Sequence, residues 1–80
     1  MKPSEIIRQR GWCQGAAENA RGNVCLSRAI FFAYRDDSRA CDALCKLLTE
    51  KLGVTTMWEW NDVKDRTMEE VIELLESVGQ

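Results

Sequence analysis

The sequence predicts an all-α protein: one domain over residues 1–80, built as a compact bundle of three to four short helices. Three observations predict it. Cys41, Leu44, Cys45, Leu48 and Leu52 recur at the i, i+3, i+4, i+7 and i+11 spacing of one helix face, and Gly53 follows as a left-handed cap. Thr67-Met68-Glu69-Glu70 is a capping box, and it opens a second apolar stripe of Met68, Val71, Ile72, Leu75 and Val78. Leu26, Ala29, Ile30 and Ala33 give a third stripe.

The elements follow in chain order. Pro3 near a first turn and Gly11 just beyond Arg10 bound a short helix from Ser4 to Arg10, with Ile6 and Ile7 as its only large apolar residues. Trp12-Cys13-Gln14-Gly15 implies a tight backbone path, and Ala16–Ala20 is expected to make a helical turn before Arg21-Gly22-Asn23. A second helix is expected from about Val24 to Tyr34. Cys25, Phe31, Phe32 and Tyr34 spread apolar surface around it, broken only by Ser27, Arg28 and Arg35, so it is either the central helix or is covered by a second subunit. Asp36-Asp37-Ser38 offers N-caps for the third helix. Residues Val54–Trp60 mix β-branched and aromatic types, which favours an extended connector and allows one short β segment near 54–60. Asn61-Asp62 then turns the chain, and the capping box starts the last helix, which Gly79 stops.

Composition narrows the function classes. The chain is 45% hydrophobic and 30% charged with a formal net charge of −2, an ordinary soluble balance that disfavours a nucleic-acid binder. The charges are segregated. Lys2, Arg8, Arg10, Arg21, Arg28, Arg35 and Arg39 outnumber four acids in residues 1–40, whereas nine acids outnumber four bases in residues 41–80. Such a chain pairs its own halves, stacks head to tail, or presents one basic face. No segment approaches the roughly 18 apolar residues of a membrane span, and no secretory leader is evident, so a cytoplasmic setting with reduced cysteines is expected, that of the host cell if the chain is phage-encoded. There is no histidine, the commonest general base and metal ligand.

Three constellations carry chemistry. Cys41 and Cys45 are one helical turn apart, and Cys13 with Cys25 would complete a Cys₄ metal site. Both Cys41 and Cys45 lie on the apolar stripe, however, so a core role for free thiols is the stronger reading and no cofactor is expected. Trp12 with Arg8, Arg10 and Gln14 combines π-face and cation, as a nucleotide-like anion requires. Arg8 and Arg10 are two residues apart and point to different sides of a regular helix, so they converge on one ligand only if Gly11 unwinds the helix end or a second subunit supplies one of them. Trp60-Asn61-Asp62 followed by Arg66 reads as a pinned turn, with Asp62 paired to Arg66. No nucleophile and base accompany it.

Trp12-x-Gln14-Gly15, Cys25-Leu26 opening an Ala-rich helix, Trp60-Asn61-Asp62, Arg66-Thr67 and Glu70-Val71 together resemble an uncharacterised family of small domains from actinobacteria and their phages, over roughly residues 5–78. The resemblance implies a phage or mobile-element origin and carries no functional residue across. Arg35–Arg39 and the Cys41/Cys45 pair depart from its pattern, where Ala or Leu is expected in place of the cysteines.

The expected core is Leu26, Ile30, Leu44, Leu48, Val71, Ile72 and Leu75. The leading expectation for function is a non-enzymatic interaction protein that binds a protein partner, itself as a homo-oligomer, or both, as a phage-encoded modulator of a host protein would. Arg8, Arg10, Trp12, Gln14, Trp60, Asn61, Asp62 and Arg66 are its candidate binding residues. The alternative is an oligomeric protein that sequesters a nucleotide-like anion. A nucleic-acid binder stands third and an enzyme last.

Overall fold

A computed structural model describes residues 1–80 and contains five helices. They are α1 (Pro3–Arg10), α2 (Leu26–Ala33), α3 (Ser38–Leu52), α4 (Met57–Asn61) and α5 (Met68–Ser77). No sheet forms, and no helix is long and apolar enough to cross a membrane.

Local signals account for most of the boundaries. The Lys2 amide donates to Glu5 Oε1 at 2.8 Å at the start of α1. Gly11 ends that helix at φ 86, and a Cβ there would sit 2.6 Å from Asn23 Oδ1, so backbone conformation and close approach both require glycine. Asp37 caps α3 by accepting the Ala40 amide, and Gly53 closes it in the left-handed conformation at φ 68, ψ 30. At α5 both arms of the capping box form: the Glu70 amide donates to Thr67 Oγ1 at 3.2 Å, and the Thr67 amide donates to Glu70 Oε1 at 3.0 Å.

Three expectations need correction. The helix count is five, because Met57–Asn61 is a helical turn and not a connector or β segment. Its signal was present in the sequence: Thr56-Met57-Trp58-Glu59 repeats the Thr-x-x-Glu spacing of Thr67–Glu70, and Glu59 Oε2 accepts the amides of Thr55 and Thr56. Thr56 Oγ1 itself is buried without a partner, so this box is half formed and the helix short. Residues 16–20 form no helical turn: 16 and 17 are bends, Glu18 makes an extended bridge and Ala20 enters the turn at Arg21. Extended contacts occur instead where Trp12 and Glu18 each bridge Val24. Val24 is thereby strapped into the loop, its amide donating to Gly11 and its carbonyl accepting from Cys13, and α2 starts two residues later than expected.

The core gathers Ile6 and Ile7 of α1, Leu26, Ala29 and Ile30 of α2, Leu44 and Leu48 of α3, Met57 of α4, and Val71 and Leu75 of α5, with Val24. Ile72, expected among them, is only half-buried. Full burial of a side chain such as Ile7 or Leu48 stabilises the fold by about 1.5–3 kcal/mol relative to exposure. The central helix is α2, which contacts α1, α3 and α4, while α1 packs between α2 and α5. The chain ends meet where Ser4 Oγ donates to the Gln80 carbonyl at 2.7 Å and the Tyr34 hydroxyl bonds the Gln80 side chain.

Replacing Thr67 with Ala should cost about 1 kcal/mol by chemical denaturation. The Glu70 carboxyl is held below its ordinary range, first by the Thr67 amide and then by Arg66. Its contribution is therefore present above the ordinary carboxylate range and lost as pH falls through the lowered value. Glu70→Gln should accordingly destabilise the fold at neutral pH and make little difference under acid conditions.

Candidate functional site

Asn61 is 1% exposed, and every hydrogen-bonding position of its side chain is filled. Its Oδ1 accepts Trp12 Nε1–H at 2.7 Å and the Leu26 amide at 3.0 Å. Its Nδ2 donates to the Cys13 carbonyl at 3.1 Å and to Asp62 Oδ1 at 2.9 Å. One amide at the end of α4 thus fixes the 12–15 loop and supplies a cap for α2, whose own N-cap residue, Cys25, makes no capping bond. Gln14 Nε2 reinforces the junction by donating to the carbonyls of Asn61 and Val63, both at 2.9 Å, and the Gly15 amide donates to Asp62 Oδ1 at 3.1 Å.

A second cluster continues from it. The Arg66 guanidinium lies 3.9 Å from the Trp60 ring centroid, donates through Nε to the Trp60 carbonyl at 3.1 Å, and pairs with Glu70 at 3.1 Å. The expected Asp62–Arg66 pair does not form. Asp62 is occupied by Gly15 and Asn61, and Arg66 by Trp60 and Glu70. Trp12, Gln14, Trp60, Asn61, Asp62 and Arg66 are therefore brought together, as partners of one another.

Arg8 and Arg10 diverge, as their spacing requires on a regular helix. Arg8 reaches Glu76 of α5 at 3.2 Å, whereas Arg10 reaches Glu18 at 3.1 Å and stacks 4.6 Å from the Phe32 centroid. Arg10 converges instead with two arginines outside α1. Arg28 and Arg35 lie 5.8 and 5.2 Å from the same Phe32 ring, and Arg28 lies 5.3 Å from Phe31. Phe31 is 47% exposed and meets Phe32 edge to face at 5.8 Å. Neither Arg28 nor Arg35 has a carboxylate partner, and Asp37, close to Arg35 in sequence, is spent on capping α3. The i, i+3, i+4, i+7 spacing of Arg28, Phe31, Phe32 and Arg35 was legible in the sequence, but the apolar character of the helix read as that of a central helix or one covered by a second subunit.

The four cysteines are free and fall into two pairs, with no group of three or more potential ligands brought together, so the Cys₄ arrangement of Cys13, Cys25, Cys41 and Cys45 is not assembled. Cys13 and Cys25 are buried, whereas Cys41 and Cys45 are half-buried and not the core residues their stripe suggested. Burial, then the neighbouring Cys41, pushes the Cys45 thiol up to about 11. A cleft of about 200 Å³ beside the junction is lined by Gly15, Ala16, Ala17, Cys25, Ser27, Trp58 and Asp62, with Trp58 largely exposed. No nucleophile-and-base pair faces it: Cys25 Sγ contacts Ser27 Oγ at 3.2 Å, and Asp62 is engaged as above.

These features define a small all-α domain locked by one buried amide, with a cationic aromatic face on its central helix. The chain belongs to DUF6197, a family of unknown function, whose model matches residues 3–80 and so takes in both the junction and that face. No curated protein and no solved structure matches it.

Asn61→Ala would strand the Trp12 and Leu26 N–H groups and the Cys13 carbonyl, at about 1–3 kcal/mol each. A loss of at least about 3 kcal/mol in denaturant midpoint analysis is expected, a large share of a small domain's stability. A raised thiol pKa means that the unfolded chain ionises first, so stability should decline as pH rises from about 9 towards 11. At pH 8 the native Cys45 should alkylate on the order of a hundredfold more slowly than the same cysteine in denatured protein, as mass spectrometry of quenched samples would show.

Proposed function

We propose that the protein is a non-catalytic interaction domain that docks an acidic, partly apolar protein segment on the face formed by Arg28, Phe31 and Phe32 of α2 with Arg35 of the turn that follows it, hereafter the α2 face. The carrying observation is that face itself. Two guanidinium groups without carboxylate partners border an edge-to-face phenylalanine pair, Arg28 over the exposed Phe31 and Arg35 over the half-buried Phe32, beside a helix whose start is held by Asn61. Arginine–carboxylate pairing beside a buried aromatic is the usual energetic centre of a protein interface. The net charge of −2 weighs against a polyanion as the natural occupant. The polar residues that suggest chemistry are consumed in holding the fold, which supports binding over catalysis. The likeness to phage and actinobacterial domains extends the reading to a modulator of a host protein in the host cytoplasm.

One observation favours a second reading. Arg10, Arg28 and Arg35 all lie within 5.8 Å of the Phe32 centroid, a cation–π cluster able to hold a small anion. In that reading the anion sits at Phe32 and not at Trp12.

Calorimetry at low salt separates the two. A short synthetic peptide rich in Glu and Leu should bind with Kd below about 1 mM, worth about 4 kcal/mol. Arg28→Gln with Arg35→Gln should weaken it at least tenfold. Failure of the peptide to bind overturns the docking reading, and tighter binding of ATP or of a duplex oligonucleotide replaces it.

A further inference from the structure

The α2 face has a counterpart in the same chain. Along α5, Glu69, Ile72, Glu73 and Glu76 repeat the i, i+3, i+4, i+7 spacing of Arg28, Phe31, Phe32 and Arg35, with glutamates at the two arginine positions and a third glutamate at the Phe32 position. They border an open groove of about 570 Å³ with Met68 and Ile72 as its apolar lining, Glu69, Glu73 and Glu76 as its acidic one, and Arg8 as its single cation, which leaves the groove two negative charges in excess. Glu76 is shared with Arg8, whereas Glu69 and Glu73 have no cationic partner, just as Arg28 and Arg35 have no carboxylate. On these two faces the unpaired charges are two of each sign, each pair set beside apolar surface.

The two faces cannot satisfy each other within one molecule. Helix α1 packs between α2 and α5, with Arg8 reaching the α5 side and Arg10 the α2 side. Residues two apart on a helix differ by about 200°, so the faces lie on opposite flanks of α1. We infer that the acidic segment docked by α2 is, in the first instance, α5 of a second copy of this chain. Phe31 enters the Met68/Ile72 groove, and Arg28 and Arg35 meet Glu69 and Glu73. Because two different surfaces meet, the contact is heterologous, and each added copy leaves one face of each kind open. Assembly therefore propagates beyond a dimer or closes into a ring.

This inference rests on the proposed role of the α2 face, and the test keeps the two apart. Light scattering and sedimentation of the wild type at low salt should give a weight-average mass that rises with concentration to more than twice 9.2 kDa. It should return to 9.2 kDa near 1 M salt, where the screening length falls to about 3 Å. A basic-face variant (Arg28→Gln, Phe31→Ser, Arg35→Gln) and an acidic-face variant (Glu69→Gln, Glu73→Gln) should each be monomeric, with unchanged far-ultraviolet circular dichroism. Mixed together, they should form a 1:1 pair and nothing larger, since each retains one working face. A wild type that stays monomeric at every concentration, association indifferent to salt, or an acidic-face variant that still self-associates overturns the inference. If the wild type stays monomeric yet binds the Glu/Leu peptide, self-docking alone fails. If it does neither, the reading of the α2 face fails with it.

Discussion

The saturated amide of Asn61 is the constraint on which the rest of the arrangement depends. A core of eleven buried residues is non-directional: it rewards burial without fixing which loop lies where. Asn61 supplies that direction by binding a side chain from residue 12, a carbonyl from residue 13, an amide from residue 26 and a carboxylate from residue 62. These groups are far apart in sequence and meet at one buried point. In a low-dielectric site a network with every member satisfied rigidifies its surroundings, and one with a member missing is worse than none. The entry of α2 into the core is set in this way, since its first free amide is capped from across the molecule and not by its own preceding residue.

How much of this was legible in the sequence depends on the range of the forces involved. Helices α1, α3 and α5 are bounded by caps and glycines within a few residues of their ends, and those signals act locally, so they read correctly. Helix α4 was hidden because Trp58, Trp60 and the β-branched run before them resemble a strand, although the Thr56–Glu59 spacing was present. The junction was partly visible: the residues of Trp12-x-Gln14-Gly15 and Trp60-Asn61-Asp62 stand out together, but composition says nothing about a hydrogen bond across 49 positions. The Asp62–Arg66 pairing failed for the same reason. Sequence proximity suggested it, while each residue had a better partner that only the fold brings near.

The α2 face was read from its apolar residues, as a central helix or one covered by a second subunit, and not from its arginines. Phe31 and Phe32 make that helix apolar on nearly all sides, which argues for burial, yet one flank remains exposed because α1, α3 and α4 already cover the others. Arginine is the residue able to border such a flank, since its guanidinium stacks on an aromatic ring while staying hydrated at its edge. Each stack contributes about 0.5–1 kcal/mol at an exposed site, enough to offset the mutual repulsion of guanidinium groups held several ångströms apart in water. The cluster is thus stable without a partner and keeps its charge available.

A division of labour follows from size. An 80-residue chain has few residues beyond those its core and junctions require, and the side chains that look most chemical are taken first. Trp12, Gln14, Asn61, Asp62 and Arg66 are all engaged with one another or with backbone. Among the charges the fold leaves without an ion-pair partner, Arg28, Arg35, Glu69 and Glu73 are set beside apolar surface, at Phe31 and at the Met68/Ile72 groove. Substituting these would leave the Asn61 junction and the Thr67 box untouched, so they are free to change without loss of the fold. In a domain so economical, the residues that folding does not employ are the ones left for the recognition proposed above, and the segregation of charge between the two halves of the chain places them on separate faces.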